Sequence, residues 1–159
     1  LGACASQPVL RRPEPPLAAV PAVDVDLYLG RWHEIARYPN GFQKECEAVT
    51  ATYSRREDGL IKVVNACGAI EGSRAREAVG RAKIVDPQSN AKLKVSFFGP
   101  FWGDYWVVDL KEDYSRAIVG EPSGRYLWVL ARAPAVTADE RADILATLDR
   151  LGYPAEPLH

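Results

Sequence analysis

From residue 47 to residue 131 the chain keeps alternating between short runs of period-two apolar residues and tight turns. In Lys92-Leu93-Lys94-Val95-Ser96-Phe97 every second side chain is apolar, the pattern of a strand with one dry face. Glu47 to Arg56 sets Val49, Ala51 and Tyr53 against Thr50, Thr52 and Ser54. Glu57-Asp58-Gly59 then reads as a turn with Gly59 in the left-handed position, and Ile61, Val63 and Asn65 share a face on the return. Further strands are predicted over Ala75–Val85, Tyr105–Leu110, Arg116–Val119 and Tyr126–Ala131. A phase change near Gly80 predicts a bulge there. Gly99-Pro100-Phe101-Trp102-Gly103 reads as an apolar loop that gates an open mouth or touches a membrane or partner. Connections this short favour an antiparallel meander, and a meander without a spare edge closes on itself. The expectation is all-β: an eight-stranded up-and-down barrel, with an interior wide enough for one small ligand.

The two ends of the barrel region carry their own signals. Asp26-x-Tyr28-Leu29-Gly30-x-Trp32 precedes the first turn, and Pro39 stops the run it begins. Gly30 permits a close backbone approach, and Trp32 supplies a large apolar plate that closes one end of a hollow body. The last two strands are apolar on both faces, so one face lines the interior and the other packs under a helix. Thr137 and Glu140 form a capping box for that helix. Ile144, Leu148 and Leu151 give it an apolar stripe, and Gly152 and Pro154 end it.

Residues 5–23 contain five prolines and no apolar period, which reads as an extended, flexible linker. Residues 1–23 are therefore set apart from a domain over 24–159. Leu1-Gly2-Ala3-Cys4 resembles a bacterial lipobox, whose cysteine carries a diacylglycerol. Ala5 in place of an aspartate favours the outer membrane by analogy. Cys46 and Cys67 lie near the start of one hairpin strand and the end of the next. In an oxidising periplasm they pair if curvature brings their Cα atoms within about 4.4–6.8 Å. The alternative is a free thiol nucleophile.

The 159 residues are 47% apolar with a net charge of −1, which leaves no electrostatic footprint for nucleic acid. The basic run Arg74, Arg76, Arg81 and Lys83 reads as a solvated strand face. No apolar run approaches the ~20 residues that span a bilayer as a helix. His33 is isolated and the cysteines lack ligand spacing, so no metal or other cofactor is expected. Phosphate loops, dinucleotide fingerprints and nucleophile elbows are absent, and no catalytic residue is assigned.

The order of elements and three motifs resemble the lipocalin family. The motifs are Gly30-x-Trp32, Asp113-Tyr114 ahead of Ala117-Ile118-Val119, and Trp128-Val129-Leu130-Ala131-Arg132. Glu112 stands where the family has a threonine. The likeness is greatest to bacterial outer-membrane lipoprotein lipocalins and, more distantly, to apolipoprotein D, through Tyr53-Ser54 and Asp58 to Asn65. It implies that Arg132 lies across Trp32 as a cation–π lock. It implies a pocket at Tyr28, Tyr53, Asn65, Tyr105 and Trp128, to which strand parity adds Phe97. A fatty acid or lysophospholipid is the expected ligand, and membrane attachment through Cys4 on the periplasmic side is the expected placement. Two other functions stay open: a lipid-modifying enzyme of peroxidase or isomerase type on this scaffold, and an envelope protein that binds a partner or forms a homodimer.

Overall fold

A computed structural model describes residues 7–40, 47–68 and 76–159. One helical turn, α1 (Val25–Tyr28), precedes eight strands: β1 (Gly30–Arg37), β2 (Glu47–Arg55), β3 (Ile61–Gly68), β4 (Arg76–Ile84), β5 (Lys92–Phe98), β6 (Phe101–Leu110), β7 (Arg116–Gly120) and β8 (Leu127–Ala131). A helix, α2 (Ala138–Leu151), follows them. The strands pair in sequence order, all antiparallel, and β8 returns to β1 to close the barrel.

α1 is the one element that the sequence pattern does not announce. Asp24 caps it, accepting from the backbone N–H groups of Asp26 and Leu27. The expected loop 99–103 is a turn at Gly99-Pro100 only. β6 begins at Phe101, where it pairs with Phe98, so the hairpin is longer and its apolar residues lie on strands. The bulge expected near Gly80 is also absent, since β4 keeps one register against both β3 and β5. Gly80 has another use. A Cβ there would lie 2.6 Å from the Ser96 carbonyl oxygen and 2.7 Å from the Phe97 ring. The glycine lets the Phe97 ring lie flat on the strand beside it. Register shifts fall instead on β1, on the start of β2, between Val95 and Phe98 on β5 and on β6.

Two apolar layers share the β7–β8 corner. Ala117, Val119 and Leu130 face inward with Trp32, Tyr53 and Val63. Ile118, Leu127 and Val129 face outward under Ile144 and Leu148 of α2. The helix keeps both signals read from its sequence. Thr137 and Glu140 exchange their capping hydrogen bonds at 3.0 and 3.1 Å, and Gly152 takes φ +93°.

Residues 7–23, which read as a flexible linker, lie along the barrel as a strap. The Leu10 and Arg11 amides donate to the Gly124 carbonyl, and the Arg12 amide to that of Gly152. Farther on, Val20 donates to Val107 and Val23 to Ser89. Leu10 and Leu17 pack into the outer layer. The prolines keep the strap extended, and the apolar residues between them supply its contacts.

Candidate functional site

Strand alternation brings one side chain in two to the lumen. The six positions expected to line a pocket all fall on the inward face, but they form two levels.

The lower level is a floor. Tyr28 comes from α1, Tyr53 from β2 and Tyr105 from β6. The Tyr105 hydroxyl lies 2.7 Å from that of Tyr28 and 2.9 Å from that of Tyr53. Burial pushes all three phenols up, Tyr53 to about 12. Their hydroxyls satisfy one another, so none of the three phenols needs a ligand head group as its partner. Trp32 lies below them, its ring 5.1 Å from that of Tyr28, and its Nε1–H donates to the Tyr28 carbonyl at 2.8 Å. The Arg132 guanidinium lies 3.8 Å over the indole. It donates to the carbonyls of Leu27, Tyr28, Leu29 and Arg31, ending α1 and bracing Gly30 at φ +101°. What remains between the tyrosines and the lower wall is an apolar cavity of about 20 Å³, the size of a single water.

The upper level is more open. Asn65 stands between Ala51 and Ala78 on the inward face. Asn65, Phe97 and Trp128 are half-buried, and Ala78 is exposed. Trp128 stacks on Tyr126 with the rings 5.8 Å apart and nearly parallel. The lumen therefore narrows from an accessible upper half to a closed aromatic floor.

Two lumen residues escaped the sequence reading. Glu34 stands opposite Leu130, and Arg37 opposite Trp128. They form a largely buried ion pair at 2.8 Å. The carboxylate contributes to the raised Tyr53 phenol, after burial itself. Plain alternation from Trp32 points Glu34 inward. Arg37 reaches the same face only through the bulge between Glu34 and Ala36, which the sequence does not mark. The β1–β2 ladder ends at His33 and Thr50, and His159 pairs with Arg37 beyond it through two backbone bonds of 2.8 and 3.1 Å. A cavity of about 190 Å³ opens there beside Glu34, Ala36, Arg37, Ala48 and Val49.

Trp102 does not gate the mouth. It lies on the outer wall beneath the Arg81 guanidinium and the Lys83 ammonium, 5.0 and 4.2 Å from its ring centre. Cys67 is disulfide-bonded, while Cys4 and Cys46 lie outside the described residues. Among the described residues no three His, Cys, Asp or Glu side chains gather as metal ligands.

A closed eight-stranded barrel, stoppered at one end by an indole and lined inward mainly by apolar side chains, is a container for a small hydrophobic molecule. The chain belongs to the lipocalin family: the family model for the lipocalin-like domain matches residues 23–159. It is 39% identical over 143 residues to outer membrane lipoprotein Blc of Escherichia coli K12, covering 89% of this chain and 81% of that protein. Blc of Vibrio cholerae is 44% identical over 124 residues, with 76% and 72% covered. Apolipoprotein D of Rattus norvegicus is 35% identical over 143 residues, with 84% and 68% covered. Insecticyanin from Manduca sexta shares the fold at a TM-score of 0.71 and 20% identity, over 91% of this chain and 83% of its own.

Proposed function

We propose that the chain binds and carries a fatty acid or lysophospholipid in the upper half of its barrel, in the periplasm, tethered to the outer membrane by a lipid on Cys4. The observation that carries this reading is the graded lumen. Mainly apolar walls, interrupted by the Glu34–Arg37 pair, open at the end where Asn65, Phe97 and Trp128 are half-buried and end on a floor whose polar groups are already satisfied. An acyl tail needs such a tube and asks for no hydrogen bond at its tip. The head group stays near the mouth, within reach of the Asn65 amide.

The relatives named outer membrane lipoproteins support the anchor and the compartment. An oxidising compartment also suits the disulfide at Cys67, whose partner we take to be Cys46. A bonded Cys67 removes one of the two thiols that a nucleophilic lipid enzyme on this barrel would use. The reading is a carrier rather than a catalyst.

Native mass spectrometry of the protein purified from its own envelope tests this. The expected spectrum shows one adduct of acyl-lipid mass lost on delipidation, and acylation at Cys4. A protein that emerges empty and takes up no fluorescent fatty acid after delipidation overturns the carrier reading.

A further inference from the structure

We infer that the β5–β6 hairpin tip is a docking surface for an anionic phospholipid bilayer, and that the barrel meets the membrane mouth first. Phe98 and Phe101 face each other across the Gly99-Pro100 turn and are 74% and 76% exposed. Among the described residues they are the most exposed of the large apolar side chains, and Val79 on β4 is 55% exposed. A paired aromatic tip of this kind leaves a substantial apolar area in water.

The wall behind the tip is basic. Arg81 pairs with Ser96 in the sheet, and its guanidinium reaches the Gly99 carbonyl at 3.5 Å. Arg81 and Lys83 flank Trp102, and Lys92 covers Trp106 at 4.2 Å. Alternation places Lys62, Arg81, Lys83, Lys92 and Lys94 on the outer face of β3 to β6, against Glu77, Asp104 and, at the far end of β6, Asp109. Lys94 is paired with Asp104 at 3.2 Å. Among the described residues Arg81 and Lys83 have no carboxylate partner. The chain as a whole carries −1, so this positive face is a local asymmetry. Apolar tip, Trp102 with Arg81 and Lys83 at its level, and Lys94 and Lys92 farther down β5 set apolar groups toward the acyl chains and cations toward the interface and anionic head groups of one leaflet.

A second observation places the same end at the membrane. The strap starts at the mouth: the Gln7 side chain bonds the Pro39 carbonyl, and Arg125 Nε donates to the Gln7 carbonyl at 2.8 Å. Pro39 follows β1 and Arg125 precedes β8, so both lie at the end that holds the β5–β6 turn. Two residues separate Gln7 from Cys4, and the three Cα–Cα steps between them reach about 10 Å when extended. An anchor at Cys4 would hold the mouth against the leaflet, instead of holding the domain at the end of a long tether. This second argument rests on the anchor proposed above; the tip argument does not.

The test uses the full chain carrying Cys4→Ser, so that docking is read apart from the anchor. Co-sedimentation compares phosphatidylcholine vesicles with and without phosphatidylglycerol. Partitioning onto the anionic vesicles is expected, with little on phosphatidylcholine alone. The pair Phe98→Ser and Phe101→Ser should weaken it by more than about tenfold. Arg81→Gln and Lys83→Gln should each weaken it about fivefold. Phe101→Trp supplies a readout that does not depend on tolerating the serines: its emission should shift to the blue and be quenched by brominated acyl chains. Equal partitioning of the parent and the Phe98→Ser/Phe101→Ser protein overturns the inference, as does an unquenched Trp at 101. A concentration-dependent dimer that the two serines abolish assigns the tip to a second copy of the chain and overturns it too. Fatty-acid binding in vesicle-free buffer is measured on the same samples. Loss of that binding speaks against the carrier, and loss of partitioning alone speaks against the docking surface.

Discussion

The hydroxyl of Tyr105 lies 2.7 Å from that of Tyr28 and serves Tyr53 as well, at 2.9 Å, so one side chain joins α1, β2 and β6 across the lumen floor. Removing the shared member should cost more than removing an outer one. Tyr105→Phe leaves two buried hydroxyls without their partner, about 1–3 kcal/mol. Tyr53→Phe keeps the Tyr28–Tyr105 bond and should cost about 1 kcal/mol or less. Urea unfolding of both variants checks the order; equal losses would mean that the hydroxyls do not share one bond network.

The same phenols fix how stability responds to alkali. Burial raises the phenols of Tyr28, Tyr53 and Tyr105, and those of Tyr38 and Tyr153 behind the barrel. A raised folded pKa means that the native state holds its proton where the unfolded chain has lost it. That stabilisation is complete below pH about 10 and declines as pH climbs through the folded values, about 12 for Tyr53 and Tyr153. Melting temperature should hold level from neutral pH to pH about 9 and then fall steeply. Absorbance at the tyrosinate band should show these phenols ionising together with unfolding, not before it.

How far the sequence reaches is clear from particular residues. Period-two alternation and tight turns are local, so the strands, their order and the capping box at Thr137 and Glu140 could be read directly. The same parity puts Tyr53 on the face of Val49, Asn65 on that of Ile61 and Phe97 on that of Leu93, whereas Tyr28, Tyr105 and Trp128 enter the pocket set only through the family resemblance. What parity cannot show is contact across the lumen. The mutual satisfaction of three hydroxyls, and the narrow space left around them, depend on strands far apart in sequence. Arg37 was hidden because a bulge in β1 reverses the parity just before it. Gly80 was misread because a glycine that accommodates a neighbour's ring looks, in one dimension, like one that breaks a strand.

Arg132 ties the floor to the chain that approaches it. Its guanidinium stacks on Trp32 and accepts no substitute geometry for its bonds to Leu27, Tyr28, Leu29 and Arg31. Arg132→Ala should cost about 2–4 kcal/mol, from the lost cation–π contact and the stranded carbonyls. Arg132→Lys keeps the charge but not the fork, and should recover less than half of that. Gly30→Ala adds a side chain at φ +101° and 3.3 Å from the guanidinium, so it should destabilise by about 1–3 kcal/mol. Chemical denaturation followed by indole emission reports all three.

Gly80 and Phe97 link stability to lumen shape. A Cβ at position 80 meets backbone oxygen as well as the Phe97 ring, and the ring is the part able to move. Gly80→Ala should lose about 1–3 kcal/mol and turn Phe97 toward the lumen. Fatty-acid affinity should then drop more than it does in Phe97→Ala, which empties the same space. Equal or higher affinity in Gly80→Ala would show that Phe97 does not border the ligand.

The strap gives a last and simpler test, because its sequence and its structure point to opposite results. A proline-rich tail is normally open to proteases. Here the Arg11 amide donates to Gly124, its guanidine to the Leu151 carbonyl, and its charge lies 5.5 Å over the Tyr153 ring. Trypsin cleaves poorly before proline, so the bond after Arg12 is a weak reporter and the one after Arg11 is the informative site. Cleavage there should be suppressed in the native protein and restored by Gly124→Val, whose Cβ would fall 2.9 Å from that of Arg11. Removing residues 1–22 should cost roughly 2–4 kcal/mol through the exposed seats of Leu10 and Leu17. Cutting at Arg11 as fast as in a free peptide would mean that the strap spends its time off the barrel, and the short reach from Cys4 to the mouth would be lost with it.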